Sequence, residues 1–213
     1  MSKSLDFAEA IAHLEKSDAT MRRLIRQIGV CALEPKGRRS PFESLVRAVA
    51  HQQLHANAAA RILERFCALF PGKKFPLPAD LAAIDDQALR SAGFSGAKSA
   101  ALRDIAQKTL EGIVPDSRKI RRLEDEDIIE RLTAVRGVGR WTAEMLLIFQ
   151  LGRLDVLPVD DFGVRTGFRL TYELEEMPKP KALLAHGETW RPFRTVAAWY
   201  LWRAADQPKK LKA

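Results

Sequence analysis

Apolar residues recur every three to four positions along most of the chain, which is the spacing of amphipathic helices. In one example, Phe42, Leu45, Val46 and Val49 share one face of a predicted helix. No run of residues shows the alternation and β-branched side chains that are typical of strands. The pattern therefore predicts an all-α fold.

The predicted helices follow one another with short turns between them. Ser17 and Asp18 can cap a helix that extends to Arg26. Further helices are predicted over residues 42–49, 58–70, 78–83, 85–92, 97–111, 125–134, 139–151 and 191–205. The turns carry Gly or Pro, and the turn at 35–41 is also basic, as are the last residues, 209–213.

Composition suggests what kind of partner this fold binds. The 213 residues include 35 Lys and Arg against 27 Asp and Glu, which gives a formal net charge of +8 and a pI near 9.7. This excess favours an acidic partner, above all nucleic acid. The apolar stretches are too short for a membrane span, and acidic residues interrupt the N-terminus where a signal peptide would be apolar. We therefore expect an intracellular protein.

Cysteine usage excludes two classes of protein. The chain has two cysteines, Cys31 and Cys67, which are too few for a disulfide framework or for an iron–sulfur cluster held by four thiolates. We expect each to be a small buried side chain.

The stretch 132–143 joins two predicted helices through a tight turn that contains Gly137 and Gly139. Glycine lets the backbone approach another surface closely. The first N–H groups of the following helix, together with Arg140, could then receive a phosphate. A Gly-x-Gly turn is equally typical of a plain helical connection. It is neither a Walker nor a Rossmann loop, because no strand precedes it and the further glycines are missing.

Four segments together resemble a known superfamily. Residues 135–144, VRGVGRWTAE, look like the helix-hairpin-helix of the base-excision DNA glycosylases, and residues 157–162, LPVDDF, resemble the loop and aspartate that follow it there. Residues 41–54 are similar to the segment that opens the glycosylase core, and residues 190–202 to the closing helix of its alkylated-purine branch. The resemblance is to the 3-methyladenine DNA glycosylase II (AlkA-like) group, in a compact form without the N-terminal sheet domain.

The resemblance implies both an architecture and an activity. The fold would have two helical lobes with a central cleft: 43–150 as the central lobe, with the hairpin at about 132–151, and 1–42 with 151–213 as the terminal lobe. The activity would be that of a DNA glycosylase that flips out alkylated purines, of the 3-methyladenine and 7-methylguanine type, and excises them hydrolytically to leave an abasic site. The alternatives are a DNA-binding module without catalysis and a glycosylase for another damaged base.

Asp161 matches the catalytic aspartate of this family. The alternative is Asp160, because Val159 lies between Pro158 and the acid pair, where the longer members have no residue. A carboxylate beside the sugar would stabilise the positive charge that develops as the bond to the base breaks, and it could orient or deprotonate the attacking water. Both acids could instead only cap a helix that starts near Phe162.

The resemblance places two tryptophans, Trp141 and Trp202, in the base pocket. Indole faces suit a cationic flipped purine through stacking and cation–π attraction. The alternative for both is core packing, and we expect Trp190, Trp199 and Tyr200 to lie in the core or at the pocket rim. Bifunctional members have a nucleophilic lysine at the position of Trp141, so no Schiff base is expected and the enzyme would be monofunctional.

A further set of residues is expected to contact DNA: His51, Gln53, Leu54, His55, Ser95, Lys98, Gly137, Gly139, Arg140 and Thr142. By resemblance, Gln53 or Leu54 fills the gap that a flipped base leaves, and His51, Gln52 and His55 could reach the minor groove. Ser95 and Lys98 could hold a phosphate or only cap a helix. His51 and His55 also have the spacing of a zinc peptidase pair, but glutamine occupies the place of its general base and no third ligand is apparent.

The resemblance also implies a bound cation and a DNA partner. Hairpins of this kind hold a monovalent cation through main-chain carbonyls, which here would be those of Thr133, Val135 and Val138, and sodium or potassium would fit. No other cofactor is expected. The partner would be damaged duplex DNA, and the protein would bind it as a monomer. No association with a membrane is expected. The protein would lie in a bacterial cytoplasm with the nucleoid, or in the nucleus of a eukaryote.

Overall fold

The computed structural model describes residues 7–35 and 39–206, so the basic turn is described only in part and the basic residues 209–213 lie outside the described residues. Every regular element in these two ranges is helical, which confirms the all-α prediction. The α-helices are α1 (Ala8–Ser17), α2 (Ala19–Ile28), α3 (Pro41–His51), α4 (Ala56–Ala68), α5 (Pro78–Ala83), α6 (Asp86–Ala92), α7 (Gly96–Leu110), α8 (Asp125–Thr133), α9 (Arg140–Leu146), α10 (Phe162–Thr171), α11 (Pro180–Gly187) and α12 (Arg194–Asp206). No helix of the described ranges is long and apolar enough to cross a membrane.

Most helices were predicted, and the structure differs from the prediction at a few of them. The helices α1 and α11 were not predicted, and neither has a side-chain N-cap. The predicted helix at 139–151 divides into α9 and a π-helical segment, Leu147–Leu151. The helix predicted from 191 starts at Arg194, after the Arg191–Pro192 peptide.

The chain divides into two compact units. The central unit comprises the described residues between positions 38 and 146, and the terminal unit comprises those before position 38 together with those from Leu147 onward. The π-helical segment therefore begins the return of the chain to the terminal unit.

The core of the central unit contains the predicted apolar face of α3. Phe42, Leu45, Val46 and Val49 are all buried there, as the helical spacing requires. The fully buried ring of Phe66 packs with its edge against neighbouring phenylalanines at centroid distances of 5.4–5.5 Å. Such edge-to-face pairs add to the stabilisation that comes from removing the rings from water.

The core of the terminal unit forms where α10 packs on α12. The two helices approach so closely at Gly167 that a Cβ atom there would lie 1.9 Å from the carbonyl oxygen of Leu201. Trp190, Trp199 and Tyr200 are buried in this unit, which confirms the core interpretation for all three. Cys31 is also buried, as expected, whereas Cys67 of the central unit is only half-buried.

A buried carboxylate fastens α2 to the rest of the terminal unit. Asp18 caps α2 as predicted, by accepting hydrogen bonds from the N–H groups of Thr20 and Met21. Its second oxygen accepts hydrogen bonds from the side chains of Tyr172, His186 and Trp190. Burial alone would raise the pKa of Asp18, but these hydrogen bonds outweigh it and hold the pKa well below its usual value.

Candidate functional site

Asp161 lies at the start of α10, where the chain leaves an extended loop. Its backbone is extended (φ −67°, ψ 122°), and its Oδ1 atom accepts a hydrogen bond of 2.8 Å from the N–H of Val164. The same oxygen accepts a hydrogen bond of 2.8 Å from the indole Nε1 of Trp202. Asp161 therefore does cap a helix, as one interpretation expected, and the cap together with Trp202 fixes the position of the carboxylate.

Asp160 has a different environment from its neighbour. It is exposed, and among the hydrogen bonds of the described residues none involves its side chain, whereas Asp161 is half-buried. A carboxylate that must act on a sugar has to be held in place. The geometry therefore favours Asp161 over Asp160, as the sequence motif does.

Trp202 projects from α12 and stacks on Phe149 of the π-helical segment. The ring centroids are 5.6 Å apart with an interplanar angle of 29°, and Trp202 is half-buried while Phe149 is 40% exposed. The sequence did not indicate Phe149, because within an apolar helical stretch nothing distinguishes it from a core residue. The hydrogen bond and the stack place Trp202 beside the carboxylate.

Gly163 allows this arrangement. A Cβ atom at this position would lie 2.9 Å from Cδ1 of Trp202 and 3.2 Å from Oδ1 of Asp161, closer than side chains normally approach. Only a glycine in the first turn of α10 lets the indole reach Asp161 without displacement. This residue was also missed, since a glycine inside a predicted helix gives no sign of what packs against it.

The loop that leads to Asp161 is fixed by ion pairs at its start. The carboxylate of Asp155 accepts hydrogen bonds from the guanidinium groups of Arg194, at 2.7 and 3.1 Å, and of Arg191, at 2.8 Å. The buried hydroxyl of Thr195 accepts from the N–H of Val156. The start of α12 thus holds the loop, while the middle of α12 supplies Trp202.

The hairpin of the central unit consists of α8, the turn at 134–139 and α9. Gly137 has φ +77°, a left-handed conformation that glycine adopts readily, and the N–H of Val138 donates to the carbonyl of Val135 at 3.1 Å. Directly after the turn, Trp141 is 47% exposed at the start of α9. Exposure of nearly half an indole is unlike core packing, and it leaves surface available for a flipped base.

Arg140 takes part in an ion-pair network within the hairpin. Its guanidinium donates to both carboxylate oxygens of Glu126, at 2.6 and 3.1 Å, and to Glu144 at 3.1 Å. The hydrogen bond with Glu126 raises the pKa of Arg140. Because the side chain of Glu144 is only 6% exposed, Arg140 also compensates a buried charge. Thr142 is buried, so a contact between it and DNA would have to come from its main chain.

The turn at 51–55 places its predicted DNA-contacting residues on the surface. His51, Gln53, Leu54 and His55 are all exposed, and Gln53 has φ +55°, a conformation that residues other than glycine rarely adopt. An apolar Leu54 at an exposed turn suits insertion between bases. The contact of these residues with DNA stays a prediction.

Ser95 and Lys98 lie at the start of α7. Ser95 caps this helix by accepting from the N–H of Lys98 at 3.4 Å. The ammonium group of Lys98 donates to the carbonyls of Ala50 and Gln52, at 2.9 and 2.8 Å, and burial lowers its pKa. The capping interpretation therefore describes Ser95, and Lys98 has main-chain partners of its own.

Two metal interpretations can be compared with the geometry. In the described ranges no group of three His, Cys, Asp or Glu side chains is close enough to hold a metal ion, so nothing there supports a zinc site at His51 and His55. The hairpin turn offers carbonyl oxygens instead: within the part of the chain that the structure describes, no main-chain hydrogen bond is made to the carbonyls of Thr133 or Val138. Such free carbonyls at a helix end are suitable ligands for a monovalent cation.

Comparisons with known proteins agree with these features. The family model described as HhH-GPD superfamily base excision DNA repair protein matches residues 46–192. The chain is 41% identical to DNA-3-methyladenine glycosylase 1 of Schizosaccharomyces pombe, over 96% of this chain and 91% of that protein.

Solved structures show the same likeness. The structure of the Schizosaccharomyces pombe 3-methyladenine DNA glycosylase in complex with abasic DNA superposes with a TM-score of 0.80 and 42% identity, covering 92% of this chain and 96% of that one. DNA-3-methyladenine glycosidase from Bacillus halodurans gives a TM-score of 0.84 and 37% identity, covering 92% and 88%. The chain therefore belongs to the HhH-GPD superfamily of base excision DNA repair proteins.

Proposed function

We propose that this protein is a monofunctional DNA glycosylase that excises alkylated purines from duplex DNA in base excision repair. The observation that carries the proposal is the fixed carboxylate of Asp161, a residue that follows the hairpin in the sequence. Hydrogen bonds from the N–H of Val164 and from the indole of Trp202 hold this carboxylate in place. The relatives named 3-methyladenine DNA glycosylase support the choice of substrate. Purines such as 3-methyladenine and 7-methylguanine are the expected substrates.

Asp161 would act on the sugar. As the bond between deoxyribose and base breaks, positive charge builds on the sugar, and a nearby carboxylate stabilises that charge more in the transition state than in the substrate. Asp161 would also orient or deprotonate the water that attacks the sugar carbon. Because one of its oxygens is fixed by two hydrogen bonds, little reorganisation is needed when the charge develops.

Tryptophan faces would recognise the damaged base. An alkylated purine carries positive charge, so it leaves readily and needs little help from an acid, and it is attracted to the electron-rich face of an indole. Trp141 offers an indole that is nearly half exposed, and Trp202 offers a half-buried one that Phe149 supports from behind. Each would stack on a base only after the base has left the duplex.

Water is the expected nucleophile. Trp141 occupies the position directly after Gly-Val-Gly-Arg, where bifunctional members of the family have a lysine. Without an amine at this position, no Schiff base with the sugar is formed. The products would therefore be the free base and an intact strand with an abasic site.

The proposal extends to partners and surroundings. The protein would act on damaged duplex DNA as a monomer. The carbonyls of Thr133, Val135 and Val138 would hold a sodium or potassium ion, which would supply positive charge at the hairpin. A repair enzyme has to work where the genome lies, which is the nucleoid of a bacterium or the nucleus of a eukaryote.

The direct test is incubation of the protein with methylated duplex DNA, followed by chromatography of released bases. We expect free 3-methyladenine and 7-methylguanine, no strand break before alkali treatment, and no covalent adduct after borohydride reduction. A non-catalytic DNA-binding module would release no base. Release of only oxidised or mismatched bases, from duplexes that contain them, would identify a glycosylase of different specificity. A borohydride adduct would refute the monofunctional mechanism.

A further inference from the structure

Two turns and one helix of the central unit are joined by side chains that the proposed function does not use. Gln52 is at the end of α3, in the turn that carries Gln53 and Leu54. Its side-chain Nε2 donates to the carbonyl of Gly137, the glycine of the hairpin turn, at 2.8 Å. Because these residues are 85 positions apart in sequence, this hydrogen bond ties together two turns that are both expected to contact DNA.

The helix α7 holds both turns from one face. Ala101 is three residues from Lys98 and three from Asp104, so on the helix surface it is a neighbour of both. Lys98 donates to the carbonyls of Ala50 and Gln52, which α3 leaves without helical partners at its end.

The hairpin turn rests on the next two turns of α7. The carboxylate of Asp104 accepts a hydrogen bond of 2.7 Å from the N–H of Arg136. A Cβ atom at Gly137 would lie 3.2 Å from Cβ of Ala101, so the small residues at these two positions allow the turn to approach α7. The hairpin and the turn at 51–55 are therefore fastened to the same helix as well as to each other.

The turn at 51–55 requires such support. Gln53 has φ +55°, and a non-glycine residue in this region is strained, so the surrounding structure has to hold it there. Gln52, the residue before Gln53, is fixed at two points. Its carbonyl accepts a hydrogen bond from Lys98, and its side chain donates one to the carbonyl of Gly137. Without them, we expect the turn to relax and Leu54 to lose its fixed position.

We propose that Gln52 and Lys98 are positioning residues. They couple the binding of the hairpin to the DNA backbone with the insertion of the turn at 51–55 into the duplex. This proposal rests on the proposed function. Hairpin contacts fix where the backbone lies, and the Gln52 bond then fixes where Leu54 or Gln53 enters relative to it. A protein held to the backbone but with a loose turn would bind intact DNA normally and stabilise the flipped-out state poorly.

The first test is the variant Gln52→Met, which preserves side-chain length and removes the donor. Its affinity for an intact duplex should stay within about twofold of the parent. Its preference for a duplex with a stable abasic site over the intact duplex should fall by about two- to tenfold, the range that the net contribution of one hydrogen bond predicts. The single-turnover rate of base release should fall by a similar factor.

Gln107→Met is the matched control. Gln107 is an exposed glutamine on α7 whose side chain donates to Glu111 and to neither turn. It should leave the abasic-site preference and the release rate unchanged. Equal losses of thermal stability and of affinity for both duplexes in Gln52→Met would show that Gln52 has only a structural role, and an unchanged abasic-site preference would overturn the coupling directly.

Lys98 provides a second test, because it was also expected to contact a phosphate. If Lys98→Met removes a phosphate contact, affinity for all duplexes falls and the slope of log affinity against log salt decreases by about 1. If Lys98 positions the turn, the salt slope stays the same, the abasic-site preference falls, and Lys98→Arg, which keeps a donor, restores part of it. The double variant Gln52→Met/Lys98→Met should then lose less than the sum of the two single losses, because both act on one turn. A decreased salt slope, or additive losses, would overturn the role of Lys98.

These outcomes are separable from failure of the proposed function. If the parent protein releases no alkylated base and shows no preference for an abasic site, the proposed function is wrong. If the parent does both and the Gln52 variant equals it, only the coupling is wrong.

Discussion

At the scale of single residues, the candidate acid has two roles that are compatible. Capping a helix requires a carboxylate oxygen fixed against backbone N–H groups, and catalysis requires a carboxylate fixed in space. Asp161 meets both conditions through Val164 and Trp202. The motif identified Asp161 from the sequence, but its hydrogen bond with Trp202 joins residues 41 positions apart and depends on how α10 packs on α12.

Trp141 should matter for flipped bases more than for intact DNA. Trp141→Ala removes a stacking surface worth on the order of 1–3 kcal/mol, and only an extruded base can use it. We expect the single-turnover release of 7-methylguanine to fall by about ten- to a hundredfold, with a smaller loss of affinity for undamaged duplex. Leu110→Ala removes another exposed apolar side chain of the central unit and serves as the control. Equal losses in both assays would make Trp141 a structural residue.

Asp18 should make the stability of the protein depend on pH in the acid range. Its side chain is 8% exposed and its pKa is held well below the usual value, so its contribution is present at pH values above the pKa of the unfolded chain. The free energy of unfolding should therefore fall as the pH drops below about 4. Asp18→Asn should destabilise the protein by about 3 kcal/mol at pH 7, since an amide cannot accept all the hydrogen bonds that the carboxylate accepts.

Urea unfolding of parent and Asp18→Asn at pH 7 and pH 3.5 measures both effects. The difference in unfolding free energy between the two proteins should shrink at the lower pH, because Asp18 of the unfolded parent is then partly protonated while Asp18 of the folded parent stays ionised, and this shift favours the unfolded chain. A difference that stays constant with pH would show that the charge of Asp18 contributes nothing.

At the scale of helices, hydrophobic spacing predicted most of the elements but not how they meet. The apolar face of α3 and the N-cap of α2 could be predicted because each depends only on residues close together in sequence. The change from α9 to a π-helical segment, which brings Phe149 to Trp202, depends on tertiary packing and leaves no local mark. The same holds for Gln52 and Gly137, whose contact joins two separate turns.

Two glycines of α10 should differ in what an added methyl group does. Gly167→Ala places Cβ 1.9 Å from a backbone carbonyl of α12, which cannot move away, so we expect a loss of about 3 kcal/mol or more of stability. Gly163→Ala places Cβ 2.9 Å from a side chain, Trp202, that can shift. Thermal unfolding should show little change, because alanine favours helix by up to about 1 kcal/mol.

Activity distinguishes the two glycine variants further. In Gly163→Ala the displaced indole no longer holds Asp161, and we expect base release to fall by about tenfold in a folded protein. Full activity of Gly163→Ala would mean that the contact between Trp202 and Asp161 is not needed.

At the scale of the whole molecule, the excess of basic residues should dominate DNA affinity. With a formal net charge of +8, neutralising about five phosphates would lower affinity by two to three orders of magnitude between 50 and 200 mM salt, at about 0.9 log units per phosphate. Fluorescence anisotropy of a labelled duplex over this range measures the slope. Affinity that is independent of salt concentration would contradict electrostatic binding to the DNA backbone.

If Asp161 carries the chemistry, removal of its charge should slow base release in a protein that still folds and binds DNA. The single-turnover release of 3-methyladenine and 7-methylguanine from methylated duplex is measured for the parent, Asp161→Asn and Asp160→Asn, with circular dichroism as the folding control. Asparagine still caps a helix and its amide oxygen can accept from Trp202, so the fold and DNA affinity of Asp161→Asn should be kept while the negative charge is lost. The expected result is a loss of at least about 10²–10³ in release rate for Asp161→Asn and substantial activity for Asp160→Asn. Base release by folded Asp161→Asn at close to the parent rate would contradict it.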